Sequence, residues 1–234
     1  MTMTGPQPGF VVNAGRRAKA LKIRTVLEEA AGGSSAGRRL LDVGTGNGQI
    51  AQILGQTCDV ISIDPRDQRQ AAIGYRYVRA GTALPFAGAS FDLAVSNHVI
   101  EHLDDAASHL DELARVVRPG GLVYLATPNR LWPWEVHYRV WLLHWLPQSL
   151  FERALRLLGR YREPLHLLSL RQLRTFCDEH FDLTDYAPRI TRWPARYHLE
   201  VPSWIGACLA ALPLSIYRLF AVGLPTLVVV LRRR

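Results

Sequence analysis

A chain of 234 residues is long enough to bury a substantial core within a single domain. Hydrophobic residues make up 48% of it and charged residues 21%, a composition that excludes an intrinsically disordered protein. The net charge of +8 suits phospholipid headgroups, polyphosphate or nucleic acid, but the scattered arginines single out none of these partners.

The cysteines and the first ten residues bear on the cellular compartment. Cys58, Cys177 and Cys208 lie far apart without metal-ligand spacing, which indicates reduced and buried thiols. The opening MTMTGPQPGF lacks the basic stretch and apolar run of a secretory signal. We therefore expect a cytoplasmic protein.

The predicted elements begin with a helix and continue as strands that alternate with helices. Residues 15–33 place Ala20, Ile23 and Leu27 at helical spacing before a pair of glycines. The next apolar runs, RRLLDVG and CDVISID, are separated by a helical stretch, and polar residues up to YRYVRAG follow them. SFDLAVSN is the fourth run, and a helical stretch separates it from the fifth, LVYLATP. Short strands between helices indicate βαβ units, so the first 128 residues predict an α/β domain whose parallel sheet carries helices on both faces.

The next segment, residues 128–147, reads PNRLWPWEVHYRVWLLHWLP and is rich in tryptophan. If this segment is a helix, Glu135 pairs with Arg139 on one of its faces. On another face the same spacing predicts an aromatic stripe formed by Trp134, Tyr138, Trp141 and Trp145. Such a stripe is typical of a buried hydrophobic core. The alternative is that the segment covers a ligand site.

The last third of the chain is strongly apolar near its end. The segments SLRQLRTFCDEH, FDLTDYA and TLVVVLRR predict a Ser-capped helix, a strand and a final strand. From residue 201 to residue 231 the only charge is Arg218, and three prolines interrupt this run. Ordinary core, an interfacial or substrate-facing helix pair, and a membrane-spanning helix all stay open. Association with the inner face of a membrane is therefore part of the expectation.

The most informative segment is a glycine-rich turn between a strand and a helix, in which Gly44, Gly46 and Gly48 alternate with polar residues. Glycines let the backbone turn sharply and approach a ligand closely. Asp42 stands just before the first glycine, where a carboxylate repels a pyrophosphate but attracts an ammonium or sulfonium group. Asp64 ends the next strand, where it can accept hydrogen bonds from ribose hydroxyls. The pattern predicts a pocket for a positively charged nucleoside.

Four motifs occur in a fixed order, namely LLDVGTGNGQIA, VISIDP, GTALPFAGASFDLAVSNHVIEHL and LARVVRPGGLVYLATPN. In order and spacing they resemble the class I S-adenosylmethionine-dependent methyltransferases, in particular the small-molecule branch that includes the ubiquinone-pathway type. The resemblance covers roughly residues 38–129. It implies a methyltransferase with S-adenosyl-L-methionine as cofactor.

The resemblance also implies a Rossmann-like, doubly wound α/β fold with a mostly parallel seven-stranded sheet. The last strand is antiparallel, and an aromatic-rich helical insertion follows the fifth strand. The whole chain forms one domain. Its expected parts are an N-terminal helix (residues 1–37) and a cofactor-binding core (38–128). They are followed by an acceptor-side lid (129–168) and by a segment with the last strands and an apolar helical part (169–234).

By the same resemblance, each motif contacts a different part of the cofactor. Asp42 and the three loop glycines line its methionine end, and Asp64 holds its ribose. Many relatives carry an acid where Ala80 stands here, so backbone contacts near Gly81 and Thr82, or water, must hold the adenine. The end of the fourth strand, with Asn97 between Ser96 and His98, passes under the sulfonium.

A hydroxyl acceptor would also need a general base on the side where the methyl group is delivered. The segments after strands four and five supply the candidates, which are His98, Glu101, His102, Glu135 and His137. We select His137, with Glu135 beside it, and a histidine that binds substrate or only packs is the alternative. Glu101 with His98 and His102 could ligate a metal, but we predict that these residues form structural hydrogen bonds and hold no metal.

The predicted function is methyl transfer to an oxygen or carbon atom of a small or lipid-like acceptor. A nucleic-acid methyltransferase is the first alternative, but the chain has Ser96-Asn97-His98-Val99 where a base-flipping enzyme of this class has an Asn-Pro-Pro-Tyr-like motif. A non-catalytic cofactor-binding module is the second alternative, and the intact Asp42 and Asp64 argue against it. The sequence leaves the oligomeric state open.

Overall fold

A seven-stranded sheet forms the centre of the computed structural model, which describes residues 14–70, 74–220 and 223–234. The sheet strands are β1 (Arg39–Val43), β2 (Asp59–Asp64), β3 (Arg76–Arg79), β4 (Phe91–Asn97), β5 (Val117–Pro128), β8 (Phe181–Asp185) and β9 (Thr226–Arg233). Two short strands, β6 (Trp134–Glu135) and β7 (Val140–Trp141), form a separate hairpin. The α-helices are α1 (Ala14–Ala31), α2 (Gln49–Leu54), α3 (Ala106–Val116), α4 (Gln148–Leu157), α5 (Leu170–Cys177), α6 (Ala187–Arg192), α7 (Ser203–Ala211) and α8 (Leu214–Leu219).

The strand order in the sheet is β3-β2-β1-β4-β5-β9-β8. The strands from β1 to β5 pair in parallel, whereas β9 runs antiparallel to both of its neighbours, β5 and β8. This arrangement confirms the predicted Rossmann-like fold with an antiparallel last strand. Because parallel strands point the same way, the carboxyl ends of β1, β2, β4 and β5 lie at one edge of the sheet, where ligands bind in folds of this type.

Helices cover both faces of the sheet and bury apolar side chains against it, as βαβ connections require. On one face, Leu41 of β1 belongs to a buried cluster with Leu110 of α3 and Leu173 of α5. On the other face, the preceding residue, Leu40, belongs to a second cluster with Ile23 of α1. Neighbouring strand residues therefore feed opposite clusters, since side chains alternate across a strand. The predicted N-terminal helix is confirmed over residues 14–31, and residues 1–13 of its predicted segment lie outside the described residues.

The tryptophan-rich segment after β5 is a hairpin over residues 134–141, so the predicted helix there was wrong. Trp134 pairs with Trp141 across the hairpin, and their ring centroids are 5.2 Å apart. Arg139 has a φ of 54°, which an α-helix does not allow. The predicted pairing of Glu135 with Arg139 is also wrong, because the Glu135 carboxylate accepts hydrogen bonds from the turn and thereby competes with helix formation. A single 3-10 turn follows the hairpin at Leu143–Trp145, and the α-helix of the insertion starts at Gln148.

A small third cluster holds this insertion together, separately from the two clusters on the sheet. Tyr138 and Val140 of the hairpin pack with Phe151 and Leu155 of α4. The two later tryptophans of the predicted stripe stay outside: Trp141 is 64% exposed and Trp145 is 49% exposed. The interpretation of the stripe as core is therefore wrong for these two side chains.

The apolar segment before β9 forms the helix pair α7 and α8, which Pro213 separates. None of the helix α7 side chains is buried, and Trp204 at its start is 69% exposed. Cys208 on the same helix is also exposed, which corrects the prediction of a buried thiol there. Of the helices in residues 14–70, 74–220 and 223–234, none combines the length and the apolar character needed to cross a membrane.

Candidate active site

The glycine-rich turn connects β1 to α2 and bends the backbone into a conformation that side chains disfavour. Gly44, Gly46 and Gly48 have φ values of 79°, 52° and 79°. A Cβ atom on Gly44 would lie 2.3 Å from Cγ2 of Val99, so a larger residue would clash. Around Gly46, by contrast, a Cβ atom would meet nothing within 4 Å, which leaves room for a ligand against the backbone. The turn therefore has the shape of a ligand cradle.

Asp42 lies beneath this turn, next to the end of β1, and is buried. Its register partner on β2 is Ser62, whose Oγ donates a hydrogen bond of 2.7 Å to Oδ2 of Asp42. Burial raises the pKa of Asp42 to about 6, the Ser62 hydrogen bond opposes this shift, and the nearby Asp64 adds to it. A positively charged ligand group would stabilise the carboxylate. The Asp42 carboxylate thus fits an ammonium or sulfonium group and does not fit a phosphate.

Asp64 ends β2 at the same edge of the sheet and supports the turn directly. Its Oδ2 accepts the N–H of Gly46 at 3.0 Å, and its Oδ1 accepts the N–H of Arg66 at 2.9 Å. Each carboxylate oxygen has a second lone pair, so both can still accept from a ribose hydroxyl. Gly81 and Thr82 follow the end of β3, whose Arg79 is the register partner of Asp64. The predicted ribose and adenine residues are therefore neighbours.

The end of β4 brings a histidine and a buried carboxylate to the same edge. After Asn97 the chain turns at His98, which has a φ of 59°. Nδ1 of His98 lies 3.0 Å from Oε1 of Glu101, and Oγ1 of Thr127 donates to Oε2 at 3.0 Å. Burial raises the pKa of Glu101, but the bonds from His98 and Thr127 outweigh it, and the pKa lies below the ordinary value. Glu101 is thus ionised and bonded to both residues.

His137, on the turn of the hairpin, forms a second pair with Glu135 at the end of β6. Oε1 of Glu135 accepts the backbone N–H of His137 at 2.8 Å and lies 2.9 Å from its Nδ1. Burial raises the pKa of Glu135, but its hydrogen bonds with His137 and Tyr138 bring the net pKa below the ordinary value. The bond to Glu135 raises the pKa of His137. Because an ionised carboxylate only accepts, Nδ1 carries the hydrogen and Nε2 is the atom that can take a proton.

His102 connects the two pairs. Its ring packs edge-to-face against the ring of His137, with centroids 5.4 Å apart, and its Nδ1 lies 3.2 Å from Oε1 of Glu163. Ligand atoms of Glu101, His102 and His137 all lie within 4.8 Å of one another, so these three residues could hold a divalent metal. His98, the other histidine that the sequence offers as a metal ligand, is not in this group and bonds to Glu101. The predicted base thus lies in a cluster with Glu101 and His102.

The same sequence matches a known family over most of its length. The family model described as methyltransferase domain matches residues 15–184. The chain belongs to the class I S-adenosylmethionine-dependent methyltransferases. An uncharacterised methyltransferase from Mycobacterium sp. (strain KMS) is 41% identical over 117 residues, which are 47% of this chain and 46% of that protein. A ubiquinone biosynthesis O-methyltransferase from Rhizobium rhizogenes is 35% identical over 106 residues, 40% of this chain and 42% of that protein. These matches span about half the length of each curated relative.

Solved structures of methyltransferases share the fold of this family member. An S-adenosylmethionine-dependent methyltransferase from Mesorhizobium loti has a TM-score of 0.58 at 18% identity, and the match covers 94% of this chain and all of that one. A plantazolicin methyltransferase in complex with a substrate analogue and SAH has a TM-score of 0.58 at 13% identity, with 94% and 84% coverage. At these identities the likeness concerns the fold.

Sequence reasoning missed three supporting residues of the methyltransferase site. Ser62 holds Asp42, Thr127 holds Glu101, and His109 lies below the end of β4, where its Nε2 is 3.0 Å from Oγ of Ser96. Burial lowers the pKa of His109 to about 4, so it is neutral. The available signal was a polar side chain inside an apolar run, as Ser62 is in CDVISID. Only the sheet register shows that the Ser62 hydroxyl bonds to the carboxylate of Asp42.

Proposed function

We propose that this protein transfers a methyl group from S-adenosyl-L-methionine to an oxygen or carbon atom of a small or lipid-like acceptor. The observation that carries the proposal is that two groups of residues, one suited to the cofactor and one to the acceptor, lie at the same edge of the sheet. Asp42 and Asp64 offer carboxylates beside an open glycine turn. The cluster of Glu101, His102 and His137 follows β4 and β5 at that edge.

For the cofactor side, we assign one task to each residue. Asp42 and the backbone at Gly44 and Gly46 would hold the positively charged methionine end, and Asp64 would accept from the ribose. Gly81 and Thr82 would border the adenine, while Asn97 would lie under the sulfonium. When bound, the cofactor supplies a methyl group that already carries its leaving group, so the protein's main task is to align the acceptor.

For a hydroxyl acceptor, His137 is the base. Glu135 fixes its ring by holding Nδ1–H, which leaves Nε2 to take the acceptor proton. An activated carbon acceptor would need orientation more than a base. We propose that this step needs no metal, with Glu101 serving as the anchor for His98 and Thr127.

The proposed acceptor site follows β5 in the chain. We infer that residues 129–168 cover this site, with Trp134 and Trp141 as an aromatic wall suited to a flat or greasy compound. The relative named a ubiquinone biosynthesis O-methyltransferase supports an acceptor of this kind. The exposed apolar helices α7 and α8, with Trp204 and Leu219 on them, support contact with a membrane surface from the cytoplasmic side.

Isothermal titration calorimetry with S-adenosyl-L-methionine tests the cofactor half. The parent protein should bind it, and Asp64→Ala should weaken binding about tenfold or more, because a charged hydrogen-bond acceptor contributes about 1.5–3 kcal/mol. Asp178→Ala is the matched control and should leave binding unchanged, since this exposed carboxylate follows α5 and pairs with Arg234 after the end of the antiparallel strand β9, outside the set of groups assigned to the cofactor. Absence of binding by the parent protein would contradict the proposal.

A further inference from the structure

A cavity of about 730 Å³ opens next to the hairpin and is lined by three arginines, Arg139, Arg160 and Arg162. Trp134 and Tyr161 supply aromatic surface to the same cavity. Among the described residues that line it there is no aspartate or glutamate. We propose that this cavity binds an anionic group of the acceptor, a phosphate or a carboxylate, beside the aromatic wall. The assignment rests on the proposed function and specifies its substrate class.

Arg160 is held in place by hydrogen bonds to the hairpin, so its guanidinium group is oriented before a ligand binds. Its Nη1 donates to the carbonyl oxygens of Tyr138 at 3.4 Å and Arg139 at 3.1 Å. A guanidinium has five N–H donors, so these two bonds do not exhaust it. Fixing the group in advance lowers the entropy lost when a ligand binds. Planar guanidinium groups also match the two oxygens of a carboxylate or phosphate.

The local charge favours an anion even after the opposing groups are counted. The carboxyl end of α4 precedes Gly159 in the cavity wall and contributes about half a negative charge. The three positive charges of the arginines exceed this partial negative charge. Two carboxylates nearby are already engaged: Glu135 with His137, and Glu163 with His102.

The cavity is also placed correctly for an acceptor. His137 lines it and at the same time lies in the cluster with Glu101 and His102. A compound whose anionic group contacts the arginines would therefore have its body beside the proposed base. The shared chemistry is an anionic group next to an apolar or aromatic body, found in soluble aryl acids and in lipid headgroups.

The test compares anionic and neutral probes on Arg139→Gln/Arg162→Gln and on a control with the same charge change, Arg17→Gln/Arg153→Gln. Both control arginines are exposed and outside the cavity lining. One arm measures calorimetric affinity for phenyl phosphate against phenol, and the other measures sedimentation with phosphatidylglycerol against phosphatidylcholine vesicles. The cavity variant should lose about tenfold in affinity for an anionic probe, as expected for charged hydrogen bonds, and the control less than about twofold.

Loss in the phenyl phosphate arm assigns the site to a soluble anionic compound, and loss in the vesicle arm alone assigns it to a lipid headgroup. Equal affinities of the parent and the cavity variant in both arms would overturn the inference, as would a parent that does not prefer anionic probes. Affinity for S-adenosyl-L-methionine, measured on the same samples, separates this failure from failure of the proposed function. If the change at Arg139 unfolds the hairpin, Arg162→Gln alone should still cost about threefold.

Discussion

The two halves of the proposed site lie at the same edge of the sheet but are built in different ways. On the cofactor side, Asp42, Gly44 and Asp64 lie at the ends of paired strands, and burial and backbone register fix them. On the acceptor side, His137 lies on a hairpin that one small apolar cluster attaches to α4. The sheet therefore determines the first half, whereas a few side-chain contacts determine the second. An insertion of this kind can change its ligand without disturbing the sheet.

The largest effect that separates the halves is expected for His137→Ala. Loss of the proposed general base should lower kcat for a hydroxyl acceptor by about 10²-fold or more, because that is the usual contribution of such a group. The affinity for S-adenosyl-L-methionine should stay within about twofold, since His137 is outside the set of groups assigned to the cofactor. Steady-state kinetics and calorimetry on the same protein measure both quantities.

His180→Ala is the control for this change, because His180 pairs with Asp111 outside the cluster. It should leave kcat unaltered. A His137→Ala protein that keeps its kcat would eliminate the histidine as base. One that loses its cooperative unfolding transition would instead mean that His137 holds the hairpin together.

A second difference should appear in the pH dependence of cofactor affinity. Asp42 has a pKa of about 6 without ligand, with Ser62 and Asp64 facing it. A cationic ligand binds the carboxylate and not the protonated acid, so affinity should be constant above about pH 7. It should fall by up to tenfold per pH unit below about pH 6. Calorimetry between pH 5 and pH 8 measures the slope.

Asp42→Asn serves as the control for the pH experiment. It should bind the cofactor more weakly at high pH and should show no such slope, because the titrating group is gone. If the variant keeps the slope of the parent protein, another group titrates, and the assignment of Asp42 to the methionine end is wrong.

The smallest effect is expected from removing metal ions. Treatment with EDTA should leave turnover unchanged, because the proposed step uses His137 and needs no Lewis acid. Loss of turnover that Mg²⁺ or Zn²⁺ restores would instead assign a metal to Glu101, His102 and His137, whose ligand atoms are close enough together to hold one. The accompanying measurement is the metal content of the purified protein by mass spectrometry.

The same contrast explains how much the sequence could predict. The glycine turn with Asp42, and the end of β2 with Asp64, follow from local patterns, because the constraints on backbone shape act within a few residues. The hairpin was missed because aromatic residues at helical spacing also fit a short pair of strands. Glu135, which accepts the amide hydrogens of His137 and Tyr138, stabilises the turn.

The cluster around the proposed base was only partly predictable for a different reason. Glu101, His102 and His137 were all candidates, but their proximity depends on how the insertion packs, and no local pattern encodes that. The partner of His102, Glu163, lies 61 positions further along the chain. The arginine-lined cavity likewise joins the hairpin to residues after α4.

A crystal structure of the complex with S-adenosylhomocysteine, the product of methyl transfer, tests the central claim most directly. We expect ribose hydroxyls within hydrogen-bonding distance of Asp64 and an amino group beside Asp42. We further expect that the sulfur atom faces the cluster of Glu101, His102 and His137. A product bound elsewhere, or one whose sulfur atom faces away from this cluster, would contradict the claim that the two halves form one active site.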